Sequence, residues 1–404
     1  MMPKFTSHVL VSIFFLAMVL VLPAESLAEP LFSVTPKLST TWRSDSNFYE
    51  AETTEHGVYT YLVQPGIELG VKTDKASLIL DYLLSLNYYD DQDNVPAGQR
   101  AASDKDYTGH AAKAGVKFQP MERLRFGLDG SYDKTDDPGV ADALTDSIDK
   151  EKYTITRYTP SIFFKPGPLS SVKLSFRGSD KDYDETLKEG ESESRGTLEL
   201  GYELTASTAL KLAYATWNTD YQKTTSDYTS HQGMLTLNYK YSLISMELGA
   251  GYHDRDFDDG AVKDADMVIY KAAISAKNTR GTGVSLSSEW NFNDSGVGNQ
   301  YYKAHKVTLR GDHVLMEKIP LAIGANYQKS DYEDVRGLNT AGATVDRVDD
   351  TWGYFASIGY KMTDWMTFTV KAGKDERDSN TVGNGYDNQY VMGKIDLRHN
   401  LGDK

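Results

Sequence analysis

The sequence predicts an all-β fold, a transmembrane up-and-down antiparallel β-barrel of about 18 strands. Three observations predict it. Apolar and polar residues alternate with period two along the chain, connections alternate short and long, and many apolar stripes begin or end in Tyr or Trp.

The first residues read as a secretory signal peptide. Lys4 supplies the positive end, Val9 to Leu22 is nearly all apolar, and Ser26-Leu27-Ala28 is a small-residue cleavage site. Residues 1–28 are therefore expected to be removed, and residues 29–404 to form one barrel domain. No Cys follows the cleavage site, which excludes a lipoprotein anchor, and the chain has no Cys at all. Such an exported chain does not rely on disulfides. Losing Lys4 and Glu25 removes one charge of each sign, so the net charge stays at -15. Mean hydropathy is -0.49, and no second apolar run reaches transmembrane length. A helical membrane protein does not look like this. A barrel does, because only every second strand residue meets lipid. The 27 Tyr and 33 Gly fit it, Tyr favouring strands and interfaces and Gly relieving crowding on a curved sheet.

The first strand pair shows the pattern. Tyr59, Tyr61, Val63, Pro65, Ile67, Leu69 and Val71 share one parity, with Thr60, Gln64, Gly66, Glu68 and Gly70 between them. After the turn at Thr73 to Lys75, Leu78, Leu80, Tyr82, Leu84, Leu86 and Tyr88 alternate with Ser77, Asp81, Ser85 and Asn87. Later stripes include Leu198, Leu200, Tyr202 and Leu204; Met246, Leu248, Ala250 and Tyr252; Val284, Leu286, Trp290 and Phe292; and Trp352, Tyr354, Ala356, Ile358 and Tyr360. Short connections are expected at 73–75, 119–122, 166–169, 205–207, 241–243 and 363–364. Long ones are expected at 44–56, 90–106, 134–151, 180–195, 254–266 and 330–349. Short periplasmic turns and longer outer loops are what an outer-membrane barrel has.

A secreted sandwich or propeller also alternates. Against it stand the aromatic stripe ends, taken as Tyr59, Tyr88, Tyr107, Tyr132, Tyr241, Tyr252, Trp290 and Trp352, and the regular loop-length alternation. The expected location is the outer membrane of a Gram-negative bacterium, among lipids and lipopolysaccharide, after insertion by the barrel-assembly machinery. The last strand, with Val391, Gly393, Ile395, Leu397 and Leu401, lacks the final aromatic that such barrels commonly carry.

The segments Phe32-Ser33-Val34-Thr35-Pro36-Lys37-Leu38, Asp45-Ser46-Asn47-Phe48-Tyr49, Gln64-Pro65-Gly66-Ile67, Leu80-Asp81-Tyr82 and Tyr88-Tyr89 resemble the β-barrel porins that often accompany exopolysaccharide export machinery. That family opens with a Thr-Pro strand, an Asp/Asn loop and a Pro-Gly strand. Ser46 splits the usual Asp-Asn pair here. The resemblance implies a channel over nearly the whole mature chain, with polysaccharide export components as partners.

No constellation points to catalysis, a cofactor or a resident metal. His231, His305, His313 and His399 share the apolar parity and read as interface residues. Asp254 to Gly260 looks like the start of an EF-hand, but the sixth position is Asp259 and the twelfth Ala265, which excludes it. The acidic loops read as a solvated rim or as carboxylates bridged by divalent cations to lipid phosphates. Phosphate loops and nucleic-acid patches are absent from the sequence, so no nucleic-acid partner is expected.

If the polar face is the lumen, Arg123, Arg125, Arg157, Lys173, Arg177, Lys211, Lys271, Arg310, Lys371 and Arg398 point inward. So do Lys113, Lys117, Lys165, Lys277, Lys361 and Lys394. Fewer acids share that orientation: Glu68, Asp81, Asp129, Glu199, Glu203, Glu247, Glu289, Asp312 and Asp396. A net basic wall would favour anions. The alternative is a mutually paired network that fills the interior. Residues 134–151 are long enough to fold in and narrow the pore. The function expected is passive passage of solutes, in its sharper form an exit port for exopolysaccharide. The alternative is a non-channel barrel, a surface adhesin or membrane-embedded hydrolase.

Overall fold

The computed structural model describes residues 31–95, 101–136, 151–184, 189–223, 225–294 and 301–402. The proposed signal peptide and most of the segment expected to narrow the pore lie outside them. The described chain is almost wholly strand. In order these are β1 (Leu31–Asp45), β2 (Val58–Lys72), β3 (Ala76–Asp91), β4 (Tyr107–Met121), β5 (Leu124–Thr135) and β6 (Tyr153–Phe164). Next come β7 (Ser170–Tyr183), β8 (Glu191–Thr205), β9 (Thr208–Tyr221), β10 (Tyr228–Tyr241), β11 (Ile244–Phe257) and β12 (Ala265–Lys277). The last are β13 (Gly283–Asp294), β14 (Tyr301–Leu315), β15 (Ile319–Leu338), β16 (Thr344–Thr363), β17 (Met366–Ser379) and β18 (Tyr386–Arg398). A single 3-10 turn, Ala102–Lys105, precedes β4.

Every strand pairs antiparallel with its sequence neighbours, and β1 pairs with β18, so the 18-stranded sheet is closed. Closure leaves no edge with unpaired N–H and C=O groups, as hydrocarbon requires. The first strand begins and the last ends on the side of the short turns, next to Lys72 and Met366.

Parity sets the faces. Trp42, Tyr61 and Tyr88 are cross-strand neighbours on the outside, as are Leu200, Leu212, Leu235 and Ala250. Leu69, Leu174, Leu200, Leu212, Leu248, Leu286, Ile358 and Phe368 are all exposed, and they form the apolar belt of the wall. In a soluble protein this much exposed apolar surface would aggregate. On a closed barrel it is the lipid face.

Several expected loops are in fact strand. Within 330–349, the β15–β16 hairpin continues to Leu338 and resumes at Thr344. Its ladder passes a register shift between Asp331 and Arg336 and ends at an Asn339 turn with Gly342 at φ +76°. Likewise β11 runs to Phe257 and β12 starts at Ala265, so the acidic run from Asp254 begins as paired strand and only 258–264 is connection. Beyond the lipid, both strand faces meet water. Alternation then vanishes while the backbone ladder persists.

Two aromatic placements also differ. Tyr107 pairs with Asn87 on the inner face and donates to Asp136 at 2.6 Å, beside Tyr89, which donates to the same carboxylate at 2.8 Å. Phe292 leaves the outer stripe of Trp290. Its ring lies 5.0 Å from that of His253, whose Nδ1 is 2.9 Å from Asn291 Oδ1. Consecutive residues thus both turn inward at the end of the lipid belt.

Candidate permeation path

The inner face is uneven along its axis. Toward the long loops, the β8–β14 wall is packed. Trp217, Tyr228, Phe292, Tyr301 and Tyr302 are buried, with Met267 and Ile269 among them. Cations lie on the rings: the Arg195 guanidinium is 3.8 Å from the Trp217 centroid and that of Arg255 is 4.1 Å from Tyr228. In an open tube these inward side chains would be wet. Their burial shows that they pack on one another at this level rather than face open water.

Toward the short turns the inner face is polar and ion-paired. Lys37 joins Glu68 at 2.6 Å and Asp81 at 2.9 Å, and Arg398 reaches Glu68 at 3.3 Å. Lys173 and Lys211 share Glu199 at 3.4 and 3.1 Å. Nearer the long loops, Arg177 and Arg195 share Glu193 at 2.6 and 3.5 Å. Lys271 pairs with Glu247, and Lys394 with Asp396 at 2.8 Å. The paired-network reading therefore describes the β7–β12 wall and the foot of β18 and β1.

The wall from β14 to β1 differs. One cross-strand row runs Arg310, Gly324, Phe355, Gly373, Tyr390 and Asp45. The glycines are what let the rings lie along the wall. A Cβ on Gly324 would sit 2.4 Å from the Phe355 ring, and one on Gly373 would sit 2.5 Å from the Tyr390 hydroxyl. The adjoining row carries Asp312, Ala322, Ser357, Lys371, Met392 and Arg43. The cations of the two rows stand over the rings. Lys371 Nζ lies 4.3 Å from the Phe355 centroid and 5.2 Å from that of Tyr390. Arg310 is 5.8 Å from Phe355, and Arg43 is 4.3 Å from Tyr390.

Arg310 is clasped by Asp312 at 2.7 Å and Arg43 by Asp45 at 2.6 Å. Lys371 makes no ion pair with a described carboxylate, and rings are its close neighbours. A cation over a ring gains about 0.5–2 kcal/mol, less than full hydration supplies, so it keeps most of its capacity to bind an anion. Asp45 is buried, and its second partner is Asn388 Nδ2 at 2.9 Å. Asn388 Oδ1 in turn accepts the Asn47 N–H at 3.1 Å, tying this wall to the β1–β18 seam.

The ten cations expected in the lumen fall as follows. Arg310 and Lys371 meet in the aromatic array. Lys173, Arg177, Lys211, Lys271 and Arg398 belong to the paired network. Arg125 lies on the inner face of β5 with its guanidinium 5.5 Å from the Phe163 ring. Arg157 lies inward on β6, and Arg123 sits in the turn before β5. Sequence reasoning missed Arg43, Phe355 and Tyr390. Their signal was parity, since Trp42, Tyr354 and Val391 beside them face outward. Of the histidines, His231 and His305 do lie outside, with Tyr214 Oη and Tyr270 Oη at 3.0 and 2.9 Å. His313 is outside too, 2.8 Å from Thr282 Oγ1. His110 shares that face, 2.9 Å from Tyr82 Oη. Among the described residues no group of His, Cys, Asp or Glu converges as a metal site.

Solved structures share this architecture. Pseudomonas aeruginosa OccK7 (OpdD) superposes with a TM-score of 0.52 at 11% identity, over 93% of this chain and 100% of that one. Acinetobacter baumannii OccAB3 gives 0.51 at 10% identity, over 92% and 99%. At such identities the likeness is one of fold. No curated protein matches the chain. Residues 242–399 match the family described as "Putative beta-barrel porin 2". That match covers the C-terminal part, not the N-terminal motifs on which the resemblance was first read. With the closed sheet and its apolar belt, it identifies the chain as a porin-like outer-membrane barrel, in line with the porin resemblance of its sequence.

Proposed function

We propose that this barrel is a passive, non-catalytic channel in a Gram-negative outer membrane whose lumen prefers anionic solutes. The observation that carries the reading is the Arg310, Lys371 and Arg43 array over Phe355 and Tyr390. The Lys371 ammonium, which makes no ion pair with a described carboxylate in a wall of low polarisability, attracts anions and repels cations. Its neighbours Arg310 and Arg43, each paired with an aspartate, hold the rings beside it. Small carboxylates and acidic sugars fit that chemistry.

The exit of exopolysaccharide is the sharper version. It rests on the sequence resemblance and brings polysaccharide export components as partners. Lipopolysaccharide and the assembly machinery are the partners that insertion itself implies. Lys173, Arg177, Lys211, Lys271 and Arg398 enter the proposal as a paired framework around the array, and Arg123, Arg125 and Arg157 as further basic groups of the wall.

Reversal potentials of single channels in a KCl gradient test the reading. Anion preference is expected, and Lys371→Gln should reduce it. A cation-selective wild-type channel ends the anionic version. Liposome swelling by sugars separates a channel from an adhesin or an embedded hydrolase, since only an open path admits them.

A further inference from the structure

A second lumenal feature lies on the wall from β8 to β12, at the short-turn end. There the inner face holds a recess of about 480 Å³. Its origin is legible in the register. One inward row runs Glu203, Ala209, Asn238, Glu247 and Ala273 across five successive strands. The two alanines leave gaps between taller neighbours. Below them Ser245 and Ser275, hydrogen-bonded at 2.7 Å, keep the floor low. Above, Lys271 is drawn aside onto Glu247, and Met234 packs against the buried cluster of the upper wall. The recess therefore sits beneath that packed level.

Its lining offers two carboxylates, a carboxamide, hydroxyls and the Lys240 ammonium at its rim. Glu203 is exposed and makes no ion pair with a described cation. Closely spaced carboxylate, carboxamide and hydroxyl groups can each accept from or donate to neighbouring hydroxyls of a polyol. A small anion gains little here, because the two carboxylates of the lining outnumber the one ammonium at its rim. The volume lies within the range of small-molecule sites.

We propose that this recess is a binding site for a neutral, polyhydroxylated solute, a short sugar of up to three units held at the short-turn side below the packed level. The inference deepens the channel reading by naming a solute class, and it stands on a different wall from the anionic array. Glu203 and Asn238 take the sugar hydroxyls, and the alanine gaps admit the ring.

The test is calorimetric titration of maltotriose into the full-length barrel in a detergent without sugar headgroups. Wild type should bind, and Ala273→Trp, which fills the recess, should weaken binding at least tenfold. Glu203→Gln with Asn238→Ala should weaken it without filling anything, which guards against misfolding of the bulky variant. Lys371→Gln should leave maltotriose binding unchanged. No binding by wild type overturns the proposal, as does unaltered binding by both recess variants. Conductance is measured separately on the same preparations. A protein that binds maltotriose but conducts nothing refutes the channel, and one that conducts without binding refutes the recess.

Discussion

Gly373 and Gly324 show how single positions tune a wall. Each lies beside a ring that a side chain would displace. Gly373→Val is expected to lift Tyr390 off the wall and to lower anion preference toward that of Lys371→Gln, with the folded gel mobility retained. Reversal potentials of both variants check this, and an unaltered Gly373→Val channel would detach the rings from selectivity. Asp45 sets a second expectation. Its carboxylate is buried and holds both Arg43 and Asn388. Asp45→Ala should cost about 3 kcal/mol, because it leaves a guanidinium without its partner inside the wall. A urea midpoint equal to that of wild type would contradict it. These positions were only partly legible in the sequence. Lys371 and Arg310 follow from parity alone. Their convergence with Arg43 does not, since contacts that cross β15 to β18 and return to β1 depend on closure.

At the scale of the strand, β11 is the clearest test of which face meets lipid. Leu248 is exposed on the outer face, and Glu247 beside it reaches Lys271 in the lumen. Leu248→Arg should cost about 2–4 kcal/mol in bilayer refolding, as for a charge near the midplane. Glu247→Gln should cost under about 1 kcal/mol, the value of a partly exposed ion pair. Equal costs would refute the assignment of faces. The β15–β16 hairpin shows where period two stops informing. Its Arg336–Asp346 pair is 68% and 66% exposed, so both sides of this ladder are wet. Replacing residues 336–346 by a short turn should leave barrel stability unchanged within about 1 kcal/mol, since wet ion pairs contribute little. Strands were predicted where lipid forced an apolar face. Where water bathes both faces, as here and at Asp254, nothing in the residue pattern separates ladder from loop.

For the molecule as a whole, the packed wall near the long loops is the place expected to set the width. The sequence pointed to residues 134–151 as the narrowing element, and most of that segment lies outside the described residues. The buried aromatics around Arg255 and Trp217 were invisible to parity, because Trp217, Tyr228 and Phe292 come from different strands and Phe292 breaks its own stripe. Trp217→Ala combined with Arg255→Ala is expected to raise single-channel conductance about twofold, a shift near 0.4 kcal/mol in the barrier. A conductance equal to that of wild type would place the narrow level elsewhere.

The seam between β1 and β18 has a consequence for biogenesis. Lys37 to Asp45 find their outer partners only on Tyr390 to Arg398, the last strand to leave the ribosome. Until then the ribbon has two raw margins and a greasy side, and no partial form of it can rest in hydrocarbon. Insertion must therefore wait for a complete polypeptide, and the slowest event should be the meeting of its two most distant strands. Truncation before Tyr386 would strand the product in the periplasm, in the care of chaperones and proteases.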